Sequence, residues 1–393
     1  MNLMSRDKYI KTLNLSEVKN IVPFKAASNA ALLFYGVKFL LLGNVKDLNR
    51  EAGIEGLSWK ITNTLSDFTV IRRPNMNETA LDLQLLENLK PELTSFCYRM
   101  LGSIDDADDA VQETCIRVWQ SWSSFRQESS YKTWIYRIAS NICLDKLRKA
   151  KRRTLPVDLS DPAASIIEPR ETLPDSSWIW LAPDFGENPE DILIRKDTLQ
   201  LCFIALLQTL PARQRAVLIL KDVFEWSSKE VAEALGMSPA SVNSALQRAR
   251  ETMKRTNLRS EELSRMDAEP DRELLLRYVD AFEQFDIDAL VALFHEEGCM
   301  SMPPFAMWVR GKDDLFKFFS LTRRHCEGSR FLPVTVNGGY PAYAQYMPGD
   351  EQSVLVPWGI HVIEIKDGKI LHVQNFINAK LFARLGLPDQ IRR

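Results

Sequence analysis

Histidine and paired cysteine are scarce in this chain of 393 residues. It has four histidines and six cysteines, and no two cysteines form a C-x-x-C pair. Structural zinc sites use cysteine and histidine at short, regular spacings, so the sequence predicts no zinc site, and we expect no other metal or cofactor. Single, scattered cysteines are typical of reduced thiols, and we expect a cytoplasmic protein.

Long apolar runs are also missing. The best candidate, Ala26 to Leu42, is interrupted by Ser28, Asn29, Gly36 and Lys38. A membrane-spanning helix needs about 20 apolar residues without a central charge. The sequence therefore predicts neither a membrane anchor nor a signal segment.

Charge is sorted along the chain although the net charge is only -2. Residues 146–153 hold six basic positions in eight. The next stretch, 154–194, holds nine acids, one arginine and six prolines. This order predicts a basic surface for a polyanion, followed by an acidic, extended tether.

Residues 227–255 have the pattern of two short helices around a tight turn. Ser227 and Glu230 form a capping box, Gly236 ends the first helix, and Ser238-Pro239 begins the second. Five basic residues and one acid follow between residues 241 and 259. Such a helix-turn-helix with a cationic second helix favours reading of a DNA major groove, although a solvated helical hairpin has the same pattern.

A helix predicted over 104–122 has acids in its first turns. Asp106, Asp109 and Glu113 are three and four residues apart, so they lie on one helical face. Two interpretations remain open: an exposed face that complements the helix dipole, or a docking surface for a basic partner helix.

Aromatic residues precede the basic run, between Trp119 and Tyr136. Aromatic rings next to cations suit unpaired nucleic acid, because bases stack and phosphates need neutralising. Core packing is the competing explanation, and we favour it for Trp119 and Trp134. Phe125 lies in a polar segment and is a weaker core candidate.

The last third changes character. Amphipathic helices are predicted over 271–285 and 286–294, and a short closing helix over 379–385. Strands are predicted at 299–302, 342–347, 353–358, 359–365 and 370–377, with an Asp367-Gly368 hairpin turn before the last one. This order predicts an α+β domain separate from the helical part.

These motifs together resemble the extracytoplasmic-function group of the sigma-70 family. The matching stretches are DDADDAVQET (105–114), SSFRQESSYKTWIYRIASNICLDKLRKAKRR (123–153) and LPARQRAVLILKDVFEWSSKEVAEALGMSPASVNSALQRARE (210–251). SMPPFAMWVRG (301–311) and KLFARLGLP (380–388) resemble a SnoaL-like, ketosteroid-isomerase-like domain. The resemblance implies a multidomain fold: two all-α domains, sigma region 2 and the helix-turn-helix region 4, followed by an α+β cone.

The resemblance also implies domain bounds and partners. We expect an N-terminal extension over 1–77, region 2 over 78–153, an acidic linker over 154–195, region 4 over 196–259 and the SnoaL-like domain over 270–390. The implied partners are core RNA polymerase, through its β′ clamp and β subunits, and promoter DNA. The last domain would act in cis, through an intramolecular contact or a small ligand.

Site residues follow from the same resemblance. The implied polymerase-binding residues are Asp106, Asp109, Gln112 and Glu113. Those for the -10 element are Phe125, Trp134, Asn141, Arg148, Lys149, Arg152 and Arg153. Those for the -35 element are Ser241, Asn243, Ser244, Gln247, Arg248 and Arg250.

An enzyme is the rival hypothesis, because the SnoaL-like fold class also houses isomerases and cyclases. Polar or aromatic groups that could face a cavity are Tyr278, His295, Trp308 and His361, of which Tyr278, Trp308 and His361 form the candidate ligand pocket. Such chemistry needs a carboxylate base in an apolar cavity, and no acid of this domain is clearly placed for that role. We therefore predict a factor that acts by binding, with a satisfied, half-buried His361.

Overall fold

The computed structural model describes most of the chain from residue 76 onward. The described residues are 31–35, 38–42, 76–122, 125, 129–159, 161–162, 172–183, 201–255, 271–349 and 353–393, with side chains from residue 85 and without that of Cys202. Most of the predicted N-terminal extension and the linker residues 163–171 and 184–200 lie outside this set.

The chain forms two compact units, residues 1–85 with 119–124 and residues 86–118 with 125–393. In the first unit, strands β1 (Ala31–Tyr35) and β2 (Lys38–Leu42) pair antiparallel. Both lie in the apolar run discussed above. Among the described residues, no helix has the length and apolarity to cross a membrane.

Three helices form what we call the first helix group: α1 (Met76–Leu101), α2 (Ile104–Ser121) and α3 (Tyr131–Lys149). Ser130 begins α3 as its cap, because its side chain accepts from the backbone N–H of Thr133 at 3.1 Å. Phe96, Ile135 and Ile142 are among the buried apolar side chains that hold the group together.

The second helix group contains α4 (Leu201–Gln208), α5 (Ala212–Leu218) with a π-helical extension (Ile219–Val223), α6 (Ser228–Leu235) and α7 (Pro239–Arg255). The predicted caps are confirmed. The backbone N–H of Glu230 donates to Ser227 Oγ at 3.2 Å, and that of Ser227 to Glu230 Oε2 at 2.8 Å. Gly236 ends α6 with a φ of 60°.

Residues 271–393 form the sheet domain. Its helices are α8 (Arg272–Glu283), α9 (Ile287–Ala292), α10 (Lys312–Cys326) and α11 (Ala379–Arg384). Its strands are β3 (Phe294–Ser301), β4 (Trp308–Arg310), β5 (Arg330–Val336), β6 (Tyr340–Pro348), β7 (Val354–Lys366), β8 (Lys369–Phe376) and β9 (Ile391–Arg392). The main order is β4-β3-β8-β7-β6-β5, and β9 pairs with β7. The predicted α+β class is confirmed.

Some element bounds differ from the predictions. The strands predicted at 353–358 and 359–365 are one continuous strand, β7, because Gly359 stays in the ladder opposite Gln345. The second predicted helix ends at Ala292, and Phe294 already begins β3. The Asp367-Gly368 turn is confirmed, with φ values of 52° and 67°.

Residues 172–183, which we call the strap, belong to the predicted acidic tether but are folded. Trp178, Ile179 and Ala182 are fully buried. The indole of Trp178 donates to the carbonyl of Leu173 at 3.2 Å, and that of Trp180 to the carbonyl of Asp175 at 3.0 Å. The acidic, extended tether predicted here is packed against the rest of the protein over this segment, because burial of the apolar Trp178-Ile179-Trp180 run outweighs the local acidity.

Candidate polymerase and nucleic-acid interfaces

The acidic residues of α2 lie on one partly exposed face. Asp109 keeps 69% of its side-chain surface exposed, with Lys146 Nζ at 3.7 Å. Glu113 pairs with Arg117 one turn later at 2.5 Å. Asp106 is bound more firmly, since its Oδ2 accepts from Arg153 at 2.5 Å. Together with the half-buried Gln112, these residues form a negative surface of the kind that a basic helix would bind.

The same helix is held by a cation from the sheet domain. Arg384, at the end of α11, donates to the carboxylates of both Asp105 and Asp108. Only 32% of the Arg384 side chain is exposed. Burial opposes the charge of Arg384, but the two carboxylates outweigh it and raise the pKa of the guanidinium. One planar guanidinium thus covers the acidic first turn of α2.

Along α3, aromatic, amide and cationic side chains form a line. Trp134, Asn141 and Arg148 are seven residues apart, so they lie on one face at intervals of about 10 Å. The ring of Phe125 lies tilted against that of Trp134, with centroids 4.9 Å apart, and meets the ring of Tyr131 edge to face at 6.1 Å. Asn141 and Arg148 are exposed, and Trp134 is half-buried, so core packing alone does not account for this tryptophan.

Arg153 differs from the other basic residues of its run. Arg148, Lys149 and Arg152 are exposed, whereas the Arg153 side chain is only 11% exposed. Its guanidinium donates to Asp106 and, at 2.8 Å each, to the carbonyls of Asp175 and Trp178. In this structure Arg153 is not placed to hold a phosphate, because its donors are used within the chain.

Helix α7 presents the predicted polar face to solvent. Val242, Ala245, Leu246 and Ala249 are buried, as expected. The predicted contact residues are all exposed: Ser241, Asn243, Ser244, Gln247, Arg248 and Arg250. These side chains are short or flexible. The start of the helix that carries them is capped by Ser238, whose Oγ accepts from the backbone N–H of Ser241 at 3.2 Å.

Arg250 has a partner inside the protein. Its Nε and NH2 donate to the two carboxylate oxygens of Asp222 at 3.0 and 2.7 Å. Asp222 raises the pKa of this guanidinium through hydrogen bonding and charge. Arg250 therefore ties α7 to the π-helical turn, and its predicted backbone contact with DNA competes with this pair.

The two helix groups pack against each other through aromatic rings. Tyr136 of α3 meets Trp226 at 4.8 Å and Phe224 at 6.0 Å between centroids, and Phe96 meets Tyr136 at 5.2 Å. All four residues are less than 9% exposed. Aromatic pairs at these distances contribute about 0.5–1.5 kcal/mol each beyond their burial.

A buried arginine strengthens the same contact. Arg215 of α5 donates to the carbonyl of Met100 near the end of α1, and to Gln208 and Leu210 near the end of α4. Burial lowers the pKa of its guanidinium to about 10, which still leaves it charged at neutral pH. A positive charge at two helix carboxyl ends is stabilising, because both ends carry partial negative charge.

The strap joins the first helix group to the sheet domain. On one side, Tyr98 Oη donates to the carbonyl of Trp180 at 2.8 Å. On the other, Ala182 and Asn337 exchange two hydrogen bonds, from Ala182 N to Asn337 Oδ1 at 2.7 Å and from Asn337 N to Ala182 O at 2.8 Å. The strap is thus fixed at both faces.

The candidate ligand pocket in the sheet domain is filled. His361 is fully buried, with Tyr278 Oη at 2.8 Å from Nδ1 and Gln345 Oε1 at 2.9 Å from Nε2. One neutral tautomer satisfies both contacts, because Nε2–H donates while Nδ1 accepts. Burial lowers the pKa of His361 to about 3. A satisfied histidine is confirmed, although it is fully rather than half buried.

Trp308 does not join this pair. It stands opposite Ser301 in the ladder, whereas its neighbour Val309 lies in the core under the helices. Side chains alternate along a strand, so Trp308 lies on the other face of the sheet from Tyr278 and His361. The pocket formed by Tyr278, Trp308 and His361 was a wrong prediction. His295 is half-buried and accepts from the backbone N–H of Glu297.

The outer face of the sheet carries a buried polar row. Ser301 Oγ lies 3.0 Å from His372 Nε2, and His372 Nδ1 lies 3.6 Å from Glu364 Oε2. Burial alone would lower the pKa of His372, but Cys299 and Glu364 outweigh it and raise the pKa to about 10. The Glu364 carboxylate thus favours the protonated form of this imidazole.

Sequence reasoning missed Arg384, Asn337, Tyr98 and Arg215. Each acts over a long separation in the chain, and Arg384 contacts a residue 279 positions away. The apolar Trp178-Ile179-Trp180 run was the one local signal for the strap.

Comparison with protein families identifies three parts of the chain. Residues 85–153 match sigma-70 region 2, and residues 200–253 match sigma-70 region 4. Residues 275–373 match a SnoaL-like domain. These ranges correspond to the first helix group, the second helix group and most of the sheet domain.

Individual relatives agree with this assignment. The chain is 39% identical over 317 residues to the ECF RNA polymerase sigma factor SigG of Mycobacterium tuberculosis, covering 78% of this chain and 83% of that protein. It is 27% identical to SigJ of the same species, over 80% of this chain and 96% of SigJ. The ECF sigma factor SigW of Bacillus subtilis is 29% identical over 44% of this chain and 86% of its own length.

A solved structure shares the fold. The crystal structure of M. tuberculosis SigJ superimposes with a TM-score of 0.51 and 23% identity, covering 78% of this chain and all of that one. Regions 2 and 4 and the SnoaL-like domain thus occur together in one fold. The chain belongs to the extracytoplasmic-function (ECF) RNA polymerase sigma factors.

Proposed function

We propose that this sigma factor carries its own regulator: the SnoaL-like domain and the strap hold regions 2 and 4 in a closed arrangement. The chain binds core RNA polymerase and directs it to promoter DNA. The packing of Tyr136 against Trp226 carries the proposal of closure, because it joins region 2 directly to region 4.

The closed arrangement conflicts with simultaneous contact to both promoter elements. Elements at -10 and -35 lie 25 base pairs apart, which is roughly 85 Å along B-DNA. Two small helical domains in direct contact do not extend that far, since a domain of 100 residues has a radius of gyration of about 13 Å. Regions 2 and 4 must therefore separate for initiation.

Roles follow for the region 2 residues. Asp106, Asp109, Gln112 and Glu113 dock the basic clamp helices of the polymerase. The surface of α3 then handles the -10 element: Phe125 and Trp134 stack on an unpaired base, and Asn141 reads its edge. Its phosphates are held by Arg148, Lys149 and Arg152, whose exposed side chains support the assignment.

Roles follow equally for α7. Ser241, Asn243, Ser244, Gln247 and Arg248 face the major groove of the -35 element, in the manner of a recognition helix. Arg250 reaches the DNA backbone after leaving Asp222.

We assign the parts of the chain as an extension over 1–77, region 2 over 78–153, a linker over 154–195, region 4 over 196–259 and the SnoaL-like domain over 270–390. Two observations support a binding role for the last of these. Both ring nitrogens of His361 are occupied by Tyr278 and Gln345. On the surface of the domain, Arg384 binds α2 and Asn337 binds the strap.

Run-off transcription with purified core polymerase tests both parts of the proposal. The full-length protein should yield core-dependent, promoter-selective transcripts. Arg384→Ala should raise transcript yield and core affinity about three- to tenfold, because it removes one charge-assisted contact that keeps the domain on α2.

Lys380→Ala is the matched control, since Lys380 is exposed on the same helix. It should behave as wild type. Equal activity of Arg384→Ala and wild type would contradict closure through α11, and no transcript from any variant would contradict the function itself.

A further inference from the structure

Arg153 contacts the polymerase-docking face of α2 and the strap, and it belongs to the basic run of region 2. It is the last residue of the basic run 146–153 of region 2. Its NH2 donates to Asp106 of the polymerase-docking face at 2.5 Å, and its NH1 to two strap carbonyls at 2.8 Å each. The next residue, Thr154, pairs with the strap at Trp178.

Asp106 is the counter-ion that makes this arrangement favourable. The Arg153 side chain is 11% exposed and that of Asp106 is 38% exposed. Carbonyl oxygens accept hydrogen bonds but supply no full negative charge, so Asp106 is the one carboxylate among the described residues that pairs with the largely desolvated guanidinium. A partner that takes Asp106 leaves Arg153 with the carbonyls of Asp175 and Trp178.

We propose that Arg153 couples polymerase docking to the strap, and we call its contacts with Asp106, Asp175 and Trp178 the latch. A cationic clamp helix that binds Asp106 releases Arg153. This release loosens residues 172–183 and makes Arg153 available to a promoter phosphate. This inference rests on the proposed role of Asp106 in polymerase binding. Arg153 is a positioning residue for the strap in the free protein and a DNA ligand in the holoenzyme.

The strap transmits the release to the SnoaL-like domain. Its hydrogen bonds run from region 2, at Tyr98, to the turn between β5 and β6 of the sheet domain, at Asn337. Losing the Arg153 contacts removes its hydrogen bonds to the carbonyls of Asp175 and Trp178 and leaves the backbone pairing of Thr154 at this end of the strap. Docking at one face of α2 thereby weakens the hold of a domain that binds the same helix through Arg384.

Hydrogen exchange of the strap amides, followed by mass spectrometry, tests the latch on the full-length protein. In the free wild type, the N–H groups of Ile179, Trp180 and Ala182 should exchange slowly, because each has an acceptor within 3.2 Å. Addition of core polymerase should speed their exchange about ten- to a hundredfold, the range expected from loss of a charged hydrogen bond.

Variants separate the latch from a general structural effect. Arg153→Ala and Asp106→Asn should each speed exchange of the strap in the free protein, and polymerase should then add little. Arg152→Ala removes a neighbouring, exposed arginine and should leave strap exchange as in wild type. If Arg152→Ala loosens the strap as much as Arg153→Ala, the latch is refuted.

The salt dependence of DNA binding gives a second readout. A phosphate contact changes the slope of log K against log salt by about one. Arg153→Ala should therefore reduce the slope of the holoenzyme by about one and leave that of the free protein unchanged.

The outcomes for the latch and for the proposed function are distinguishable. A stable complex with core polymerase in which strap exchange is unchanged would overturn the latch alone. Failure of the wild-type protein to bind core polymerase would overturn the proposed function.

Discussion

Single side chains in region 2 have roles that depend on exposure more than on residue type. Arg152 and Arg153 are adjacent and both basic, yet one is exposed and the other is held by a carboxylate and two carbonyls. Asn141 is exposed on α3, in line with Trp134 and Arg148. Its proposed contact with a flipped base can therefore be tested by a substitution at the surface of the helix.

Asn141→Ala should slow promoter opening about tenfold while core binding stays unchanged. A lost edge contact to a base costs about 1–3 kcal/mol, and the helix itself tolerates alanine. Permanganate reactivity of unpaired thymines would measure opening, with the exposed Gln120→Ala as the control. Wild-type opening by Asn141→Ala would refute the assigned role.

His361 should make the stability of the protein depend on pH. Its pKa falls from 6.5 to about 3 on folding, because burial disfavours the charged ring. The unfolded chain therefore binds the proton first, and the free energy of unfolding decreases as the pH falls from 6.5 towards 3. The loss is at most about 1.4 kcal/mol per pH unit.

Chemical denaturation between pH 7 and 4.5 measures this effect. His361→Gln should show a shallower decline than wild type, since the contribution of this one imidazole is removed and those of the carboxylates and the other histidines remain. Parallel curves for the two proteins would show that His361 is not buried as a neutral ring.

At the scale of elements, short-range signals were readable and long-range ones were not. The capping box at Ser227, the left-handed Gly236 and the Asp367-Gly368 turn depend on residues that are close in sequence, and all three were predicted. Helix α10 and strands β4 and β5 were not predicted. Their patterns mix charged, aromatic and β-branched residues, so periodicity alone did not assign them.

The strap and its contacts show the same limit for the candidate site. Its indole side chains signalled burial, but their partners come from distant parts of the chain. Asn337 lies 155 residues from Ala182. The shared face of the α2 acids and the exposed face of α7 were predicted from helical spacing, which alone orients these side chains. The ion pairs of Arg153 and Arg250 within the protein were not predicted, because their partners come together only through tertiary packing.

Asn337→Gly should loosen the strap without unfolding the sheet domain. Asn337 has a φ of 50°, which glycine adopts easily, so the change removes mainly the acceptor of Ala182 N–H. Limited proteolysis should cut within 172–183 at least several times faster, since the lost buried hydrogen bond is worth about 1–3 kcal/mol. An unchanged cleavage rate would mean that Asn337 does not hold the strap.

At the scale of the whole molecule, the proposed opening requires breaking the aromatic contact of Tyr136 with Trp226 and the hydrogen bonds of the buried Arg215. Their loss must be offset by contacts with polymerase and DNA. Opening the molecule is therefore coupled to assembly of the initiation complex, as population-shift arguments require.

Energy transfer between probes should detect the opening. Dyes placed on unnatural residues at the exposed positions Arg137 of α3 and Arg255 of α7 should be close in the free protein. Their distance should increase towards roughly 80 Å in the promoter complex, which matches the element spacing. No change in transfer upon open-complex formation would contradict the closed arrangement.

The folded strap also sets how far regions 2 and 4 can travel. While it is attached, the chain between Pro183 and the start of α4 at Leu201 is about 17 residues and reaches at most roughly 60 Å. Once released back to Thr154, the connection has about 47 residues and reaches roughly 160 Å. Detaching the strap thus increases the maximum distance that the chain allows between regions 2 and 4. Under the proposed function, we expect the tolerated spacing between promoter elements to depend on whether the strap is attached.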